Sequence, residues 1–244
     1  MIRRETIASA SRSSAVLAVI AVLLVGLFCV VVILELGYSG PRPIDVDRWI
    51  RVAEEAGATN VVSSIYLGAR LFDTILEVLV FAVATLGVRF YLGTRGYKEV
   101  VQSIPESNVV RVGAAVLLPP VLLLGIYVVA YGHLSPGGGF AGGVIAASGL
   151  LLAAIALGTE RINARLRPAV LHGFEWGVLL AILTLATLPA PLSMPLLSDP
   201  LPSGRMGSLV SGGSIPLYNA MIGVKVFLSS WVIAKHFVDH RGEI

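Results

Sequence analysis

The chain has 244 residues, of which 56% are hydrophobic and only 14% are charged. In soluble domains about a quarter of all residues are charged, so this composition excludes a soluble globule. The formal net charge of +3 is small, and the basic residues lie between apolar blocks, which argues against nucleic acid as a partner.

Apolar blocks long enough to cross a bilayer, about 20 residues each, recur along the whole chain. We therefore predict an all-α, polytopic (multi-pass) protein of the cell membrane with six transmembrane helices. The fourth block is short and rich in glycine, alanine and serine. The blocks lie at residues 15–37, 62–88, 109–131, 141–158, 169–189 and 216–237.

The first block follows a basic N-terminal stretch, as the apolar core of a signal peptide would. It is too long for such a core and no small-residue cleavage site follows it, so we predict a retained transmembrane helix. Its Cys29 is the single cysteine of the sequence, which excludes an internal disulfide or a cysteine-based metal centre.

The second block contains Arg70, Asp73 and Glu77, and at 100° per residue these side chains fall within about 60° of one another. Thr74 widens the arc to about 100°. A charged group at bilayer depth costs roughly 2.5–3.5 kcal/mol on insertion scales, so this face must meet protein or a wet cavity. Glu77 is expected near the middle of the span.

The third and fourth blocks are joined by the stretch "GHLSPGGGFAGG", residues 132–143. A phosphate-binding loop is not indicated, since no strand precedes the stretch and no Gly-Lys-Ser/Thr follows it. We predict a tight hairpin turned by Pro136 and the glycines. The small residues after the turn should let the fourth helix pack backbone-close to its neighbours. These are Gly142, Gly143, Ala146, Ala147 and Gly149.

The fifth block carries His172 and Glu175, which share a face, and Lys225 lies near the middle of the sixth block. In one interpretation the buried charges only pair and fix the bundle, Arg70 with Asp73 and Lys225 with Glu77. In the other, Glu77, Lys225, Glu175 and His172 are stations for a proton or a sodium ion.

Lysine and arginine asymmetry predicts that both termini are cytoplasmic. With the N-terminus inside, twelve basic residues fall on inner segments and four on outer ones. The inner residues are Arg3, Arg4, Arg12, Arg89, Arg95, Lys98, Arg111, Arg161, Arg165, Arg167, Lys235 and Arg241, and the outer ones are Arg42, Arg48, Arg51 and Arg205.

Two stretches of the sequence resemble known families. "FDTILEVLVF" resembles a Phe-Asp-Thr-x-x-Glu segment in the C-terminal part of the large antiporter protein MrpA, which membrane-bound hydrogenases carry as the separate small protein MbhE. "GIYVVAYGHLSPGGGFAGGVIAA" resembles the signature of MrpB (MnhB), called MbhF in the hydrogenases, and "PLYNAMIGVKVF" resembles the last helix of that family.

The resemblance implies an MbhE-like part at 1–107, with two spans, followed by an MrpB-like part at 108–244, with four. It implies that Asp73 and Glu77 take the family's acidic positions. It also gives the signature loop as His133, Pro136, Gly137, Gly138, Gly139 and Phe140. The backbone of this loop is a candidate lining for the outer mouth of an ion path.

The implied function is that of a non-catalytic membrane subunit of a multisubunit Mrp-type antiporter module, with no cofactor of its own and with Na⁺ and H⁺ as transported ions. The module stands alone or is joined to a membrane-bound hydrogenase or a sulfur-reducing complex, so the expected partners are other subunits of such a complex. The alternatives are a purely structural role in that complex and an autonomous transporter. The sequence shows no internal repeat of the kind solute carriers usually have.

Overall fold

The computed structural model describes residues 45–93, 107–158 and 168–239, with the single positions 26, 30 and 162. The chain divides into two units, Met1–Asp45 and Val46–Ile244, and the helices given below belong to the second. The first predicted span, with Cys29, lies outside the described residues. The proposed division at 107/108 stays a prediction.

The described part is helical, which confirms the predicted all-α class. Two short helices precede five long ones, and the five are long and apolar enough to cross a membrane. The helices are α1 (Val46–Ala56), α2 (Val61–Ser64), α3 (Leu71–Gly93), α4 (Asn108–Ala130), α5 (Gly139–Leu157), α6 (Pro168–Thr187) and α7 (Ile215–Asp239). Five predicted spans are therefore present, whereas the total of six and the orientation stay predictions.

The start of the second predicted span is wrong by about nine residues. Asn60 caps α2 by accepting bonds from the amides of Val62 and Ser63, and a π-helical segment, Ile65–Ala69, follows. Arg70 then leaves helical geometry, and the Thr74 hydroxyl donates to the Tyr66 carbonyl at 2.6 Å, satisfying an acceptor at the break. The membrane-crossing helix begins only at Leu71.

This shift moves Glu77 away from the middle of its span, which corrects its expected depth. It lies in the second turn of α3, about 9 Å along the axis from Leu71 at 1.5 Å per residue. Helix α1 is also unexpected, because it is an amphipathic helix in a segment that the sequence pattern presents as a plain connection. The polar face of α1 carries both acidic and basic residues, and its Ala53 is buried.

Helix α7 is the centre of the bundle, since it contacts α3, α4, α5 and α6. We call the end at which α3 and α7 finish and α6 begins the inner end, and the opposite end, with the glycine loop, the outer end. One apolar cluster joins α3, α6 and α7 and contains Leu71, Val78, Ile182, Tyr218 and Ile222. A second surrounds Trp231 near the inner end.

Glycine allows α5 to approach its neighbours at backbone distance, as predicted. A Cβ on Gly143 would lie 2.6 Å from the Gly223 carbonyl oxygen of α7. A Cβ on Gly149 would lie 2.8 Å from a methyl group of Val121 in α4, and on Gly142 it would lie 2.6 Å from the Gly125 carbonyl oxygen. None of these sites has room for even an alanine unless the neighbouring atoms move.

We expect Gly139→Ala to loosen the contact between α5 and α7. The new Cβ would meet the Asn219 carbonyl oxygen at 2.6 Å and the Gly223 amide nitrogen at 2.9 Å, both backbone atoms. Overpacking of this kind costs about 1–3 kcal/mol, seen as a lower unfolding midpoint of the purified complex. The control is Gly113→Ala in α4, where nothing lies within 4 Å. Equal midpoints for the two variants would contradict the close packing.

Candidate functional site

The middle of α7 contains a fully buried lysine. Lys225 is 1% exposed, and its Nζ donates to Glu175 Oε1 at 2.6 Å and to Ser229 Oγ at 2.6 Å. The Ser229 hydroxyl donates in turn to the same carboxylate oxygen at 2.7 Å. Glu175 and Ser229 are themselves buried. These three side chains form a closed network, which we call the buried triad.

Two helices build the triad. Lys225 and Ser229 are one turn apart on α7, so they present the same face, and Glu175 is in the second turn of α6. The pairing of Lys225 with Glu77 that the sequence suggested is therefore wrong. Both groups are expected at mid-span from the sequence, but α3 presents Glu77 at the surface of the chain, while α6 packs on α7 and supplies the carboxylate.

His172 connects the triad to the inner end. It lies one turn before Glu175 on the same face of α6, with Nδ1 3.8 Å from Glu175 Oε2. Arg89, near the end of α3, places a guanidinium nitrogen 2.7 Å from the same Nδ1. Because a guanidinium only donates, Nδ1 accepts this bond and the ring proton of neutral His172 resides on Nε2. The polar side chains of three helices thus run from the inner end to mid-bundle.

A cavity of about 70 Å³ adjoins His172 at the inner end. By volume it has room for more than one water molecule, each of which takes about 30 Å³ in the liquid. Its walls are supplied by α3, α6 and α7. The lining residues are Arg89, Leu171, His172, Trp231, Val232, Lys235 and His236.

The charged face predicted on the second span lies at the surface of the chain. Arg70 and Asp73 form the expected ion pair, with Arg70 Nε 2.6 Å from Asp73 Oδ2, but their side chains remain 66% and 46% exposed. Glu77 is exposed as well, and among these neighbours only Thr74 is buried. The structure therefore does not bring Glu77 together with the triad.

The signature loop folds back on α7. Its carbonyls at Gly132 and Ser135 accept bonds from the Asn60 side chain at 2.7 and 2.8 Å, and the Gly139 amide donates to Asn219 Oδ1 at 2.9 Å. Tyr66 donates to the same Asn219 oxygen at 3.1 Å. The loop is thereby tied to both the α2 cap and the start of α7.

The other residues of the signature are explained by this close contact between the loop and α7. Gly137 and Gly138 adopt positive φ angles of 153° and 136°, which favour glycine. Pro136 stands at the turn before them, and Phe140 packs on the apolar cluster around α7. His133 is 1% exposed, and its ring nitrogens have no hydrogen-bond partner within the described part of the chain.

Several residues of these networks were missed from the sequence. Ser229 had a readable signal, since it is four residues from Lys225 and so shares its face. Arg89 is identified from the sequence only as one of the basic residues on the inner segments. Asn60 and Asn219 act through contacts 72 or more residues apart in sequence, for which local patterns give no signal. Among the described residues, no cluster of three His, Cys, Asp or Glu side chains suits a metal ion.

Comparison with a family model places residues 109–232 in the "Domain related to MnhB subunit of Na+/H+ antiporter". A curated relative from Rhizobium meliloti (strain 1021), described as part of a probable K(+)/H(+) antiporter, is 29% identical over 159 residues. The match covers 55% of this chain but only 16% of that relative's length.

Two solved structures share the fold. A chain of the membrane-bound sulfane sulfur reductase (MBS), an archaeal respiratory membrane complex, matches with a TM-score of 0.70 and 25% identity, over 92% of this chain and 97% of that one. A chain of the Mrp complex from Dietzia sp. DQ12-45-1b matches with a TM-score of 0.64 and 21% identity, over 96% of this chain and 27% of that one.

We expect the buried triad to show strong energetic coupling in a double-mutant cycle. Lys225→Met leaves Glu175 as an unmatched buried charge, and Glu175→Met does the same to Lys225. Each single change should cost about 3–5 kcal/mol, whereas the double variant should recover most of that loss. Unfolding midpoints of the purified complex are measured for the wild type, the two single variants and the double variant. The control is Arg111→Met at an exposed position, whose stability should stay within about 0.5 kcal/mol of the wild type. Additive losses in the double variant would contradict a direct pair.

Proposed function

We propose, because the chain belongs to the family of domains related to the MnhB subunit of the Na+/H+ antiporter, that it is a non-enzymatic membrane subunit of a multisubunit cation/proton antiporter module. Within that module it carries part of a proton path. The observation that supports this role is the buried triad and its link through His172 to the inner end.

The energetics of the triad favour a functional role over mere stabilisation. Replacing a buried ion pair by apolar groups of similar volume is often neutral or stabilising, so packing alone does not require Lys225 and Glu175. A proton path does require them, since it needs ionisable groups within hydrogen-bond reach of one another. The links in the triad are 2.6–2.7 Å long.

The chemistry favours a proton over Na⁺ at this position. A dehydrated sodium ion would need several converging oxygen atoms. Here the Lys225 ammonium already occupies the position beside the Glu175 and Ser229 oxygens, at 2.6 Å from each. Lys225 and Glu175 can exchange a proton directly. A small movement across the 3.8 Å gap lets His172 take the proton at Nδ1 in place of its bond from Arg89 and release the proton on Nε2 toward the inner cavity. Arg89 keeps its charge and orients His172.

The surface charges on α3 support an assembly with other subunits. On a chain whose long helices cross the membrane, Glu77 in the second turn of α3 is exposed and Asp73 in its first turn is partly exposed, while the exposed Arg70 directly precedes the helix. Charged groups at bilayer depth do not face lipid without cost, so another subunit is the natural cover for this face. Glu77 then belongs to the interface, where it can extend the path beyond this chain.

The parent complex is a second question. The near-complete mutual coverage with a chain of the archaeal respiratory complex, 92% and 97%, favours a respiratory assembly of that kind. The shared fold with the Mrp chain, of which this chain covers 27%, supports the plain antiporter as the alternative. Purifying the complex under native conditions and identifying its subunits decides between them.

A scaffold role is the competing function, and one observation favours it. The signature loop, α5 and α7 are held together by Asn219 and by glycines that permit backbone contact, with no charged side chain in those bonds. In that case the triad would serve only to join α6 to α7.

We expect Glu175→Gln to slow transport strongly while the complex still assembles. The amide keeps the shape and can still accept from Lys225, but it cannot exchange a proton. The rate of cation-driven pH change in inverted membrane vesicles should fall at least tenfold, and Ser229→Ala should slow it less. The control is Glu54→Gln on the exposed face of α1, which removes the same charge outside the long helices. A fully assembled Glu175→Gln complex with the wild-type rate would leave only the scaffold role.

A further inference from the structure

Buried polar atoms without a partner gather at the outer end of the bundle. Within the described part of the chain, they are both ring nitrogens of His133, Ser198 Oγ and Asn219 Nδ2. The whole of His133 is 1% exposed, and Asn219 is fully buried. Burial of an imidazole without hydrogen bonds is unfavourable, and an apolar side chain at position 133 would avoid that cost. Packing alone therefore does not explain the histidine.

Part of the connection between α6 and α7 covers His133. The Asp199 carboxylate accepts a hydrogen bond from the Ser214 amide at 2.8 Å, which holds the two ends of this segment together as in an Ω-loop. We call residues 199–213 the outer lid. A Cβ built on Gly212 of the lid would lie 3.6 Å from the Cβ and Cδ2 atoms of His133. The backbone of the outer lid thus packs directly on the imidazole.

The outer lid is attached to α1 at the surface of the chain. The Ser203 hydroxyl donates to the Glu55 carbonyl at 2.9 Å, and this bond is exposed to solvent. Leu209 and Val210 of the lid are 58% and 90% exposed, so closure buries little of their apolar surface. Segments with exposed hydrogen bonds and few buried apolar contacts open at a small cost in free energy.

We propose that the outer lid opens and closes over His133, and so gates the access of water and protons at the outer end to its imidazole. Under the closed lid the ring nitrogens are sealed from solvent, and in the open state they form hydrogen bonds with water. The gain of these bonds favours opening. The proposal concerns the outer end alone and does not depend on proton transfer through the triad.

The test measures the reaction of His133 with diethyl pyrocarbonate in the purified intact complex, as the mass shift of its peptide. We expect His133 to react more slowly than in the denatured complex, because only the open state exposes its ring. Ser203→Ala removes the bond to Glu55 and should raise the rate roughly threefold. The control is Val210→Thr, a change of similar size at an exposed lid position, which should leave the rate unchanged.

A disulfide that fastens the lid should have the opposite effect. A Cβ on Gly212 would lie 3.6 Å from the Ala58 Cβ, and disulfides span about 3.5–4.5 Å between these atoms. The double variant Ala58→Cys/Gly212→Cys is made with Cys29→Ala to remove the native thiol. Its oxidised form should react roughly tenfold more slowly at His133 than its reduced form. The controls are the two single-cysteine variants, which cannot form the bond and should not respond to oxidation.

Three results would overturn the proposal. The first is a wild-type complex in which His133 stays unmodified under conditions that modify the denatured complex. The second is an oxidised double variant, with its disulfide verified by mass, that reacts as fast as the reduced form, since solvent would then reach His133 without movement of the lid. The third is a Ser203→Ala variant whose rate differs from the wild type no more than that of Val210→Thr.

Discussion

A lysine ammonium buried at mid-membrane depth must have a carboxylate beside it, and this requirement determines how α6 and α7 fit together. Lys225 has no route to water along its own side chain, so Glu175 has to come within 2.6 Å. The second turn of α6 is thereby held against the middle of α7. His172 and Arg89 follow from that placement, because they lie one turn closer to the inner end and face the same way. The packing of α6 on α7 and the proposed proton path thus depend on the same polar contact.

The outer half of the same helix obeys a different constraint. There Asn219 and Gly223 of α7 face the glycine loop. The loop must come close enough for the Gly139 amide to donate to the Asn219 side-chain oxygen. That approach excludes side chains at Gly132 and Gly139, while Gly137 and Gly138 need positive φ angles. A simple turn would need fewer glycines, but a turn that also seals against a helix backbone needs most of them. The carbonyls of Gly132 and Ser135 already accept hydrogen bonds from Asn60, which argues against an ion-lining role for this part of the loop backbone.

Sequence reasoning was strongest where composition and length decide the outcome. The membrane class, the five described long helices and the small-residue face of α5 follow from hydrophobic length and residue size. The predicted start of α3 is wrong, because an Asn cap and a π-helical segment interrupt a continuous apolar run without changing its composition. The partner of Lys225 was missed for a related reason, since rotation of α3 about its axis decides whether Glu77 faces inward. That rotation depends on contacts between distant segments, which periodicity does not encode.

A proton path through the triad requires that Glu175 change its protonation during transport rather than hold a permanent ion pair with Lys225. Infrared difference spectroscopy of the complex in liposomes, recorded before and after a cation gradient is imposed, measures this through the carboxylic-acid stretching band. We expect a band that appears or disappears with the gradient in the wild type and is absent from Glu175→Gln. A difference spectrum that shows no carboxylic-acid change, or the same change in both proteins, would contradict it.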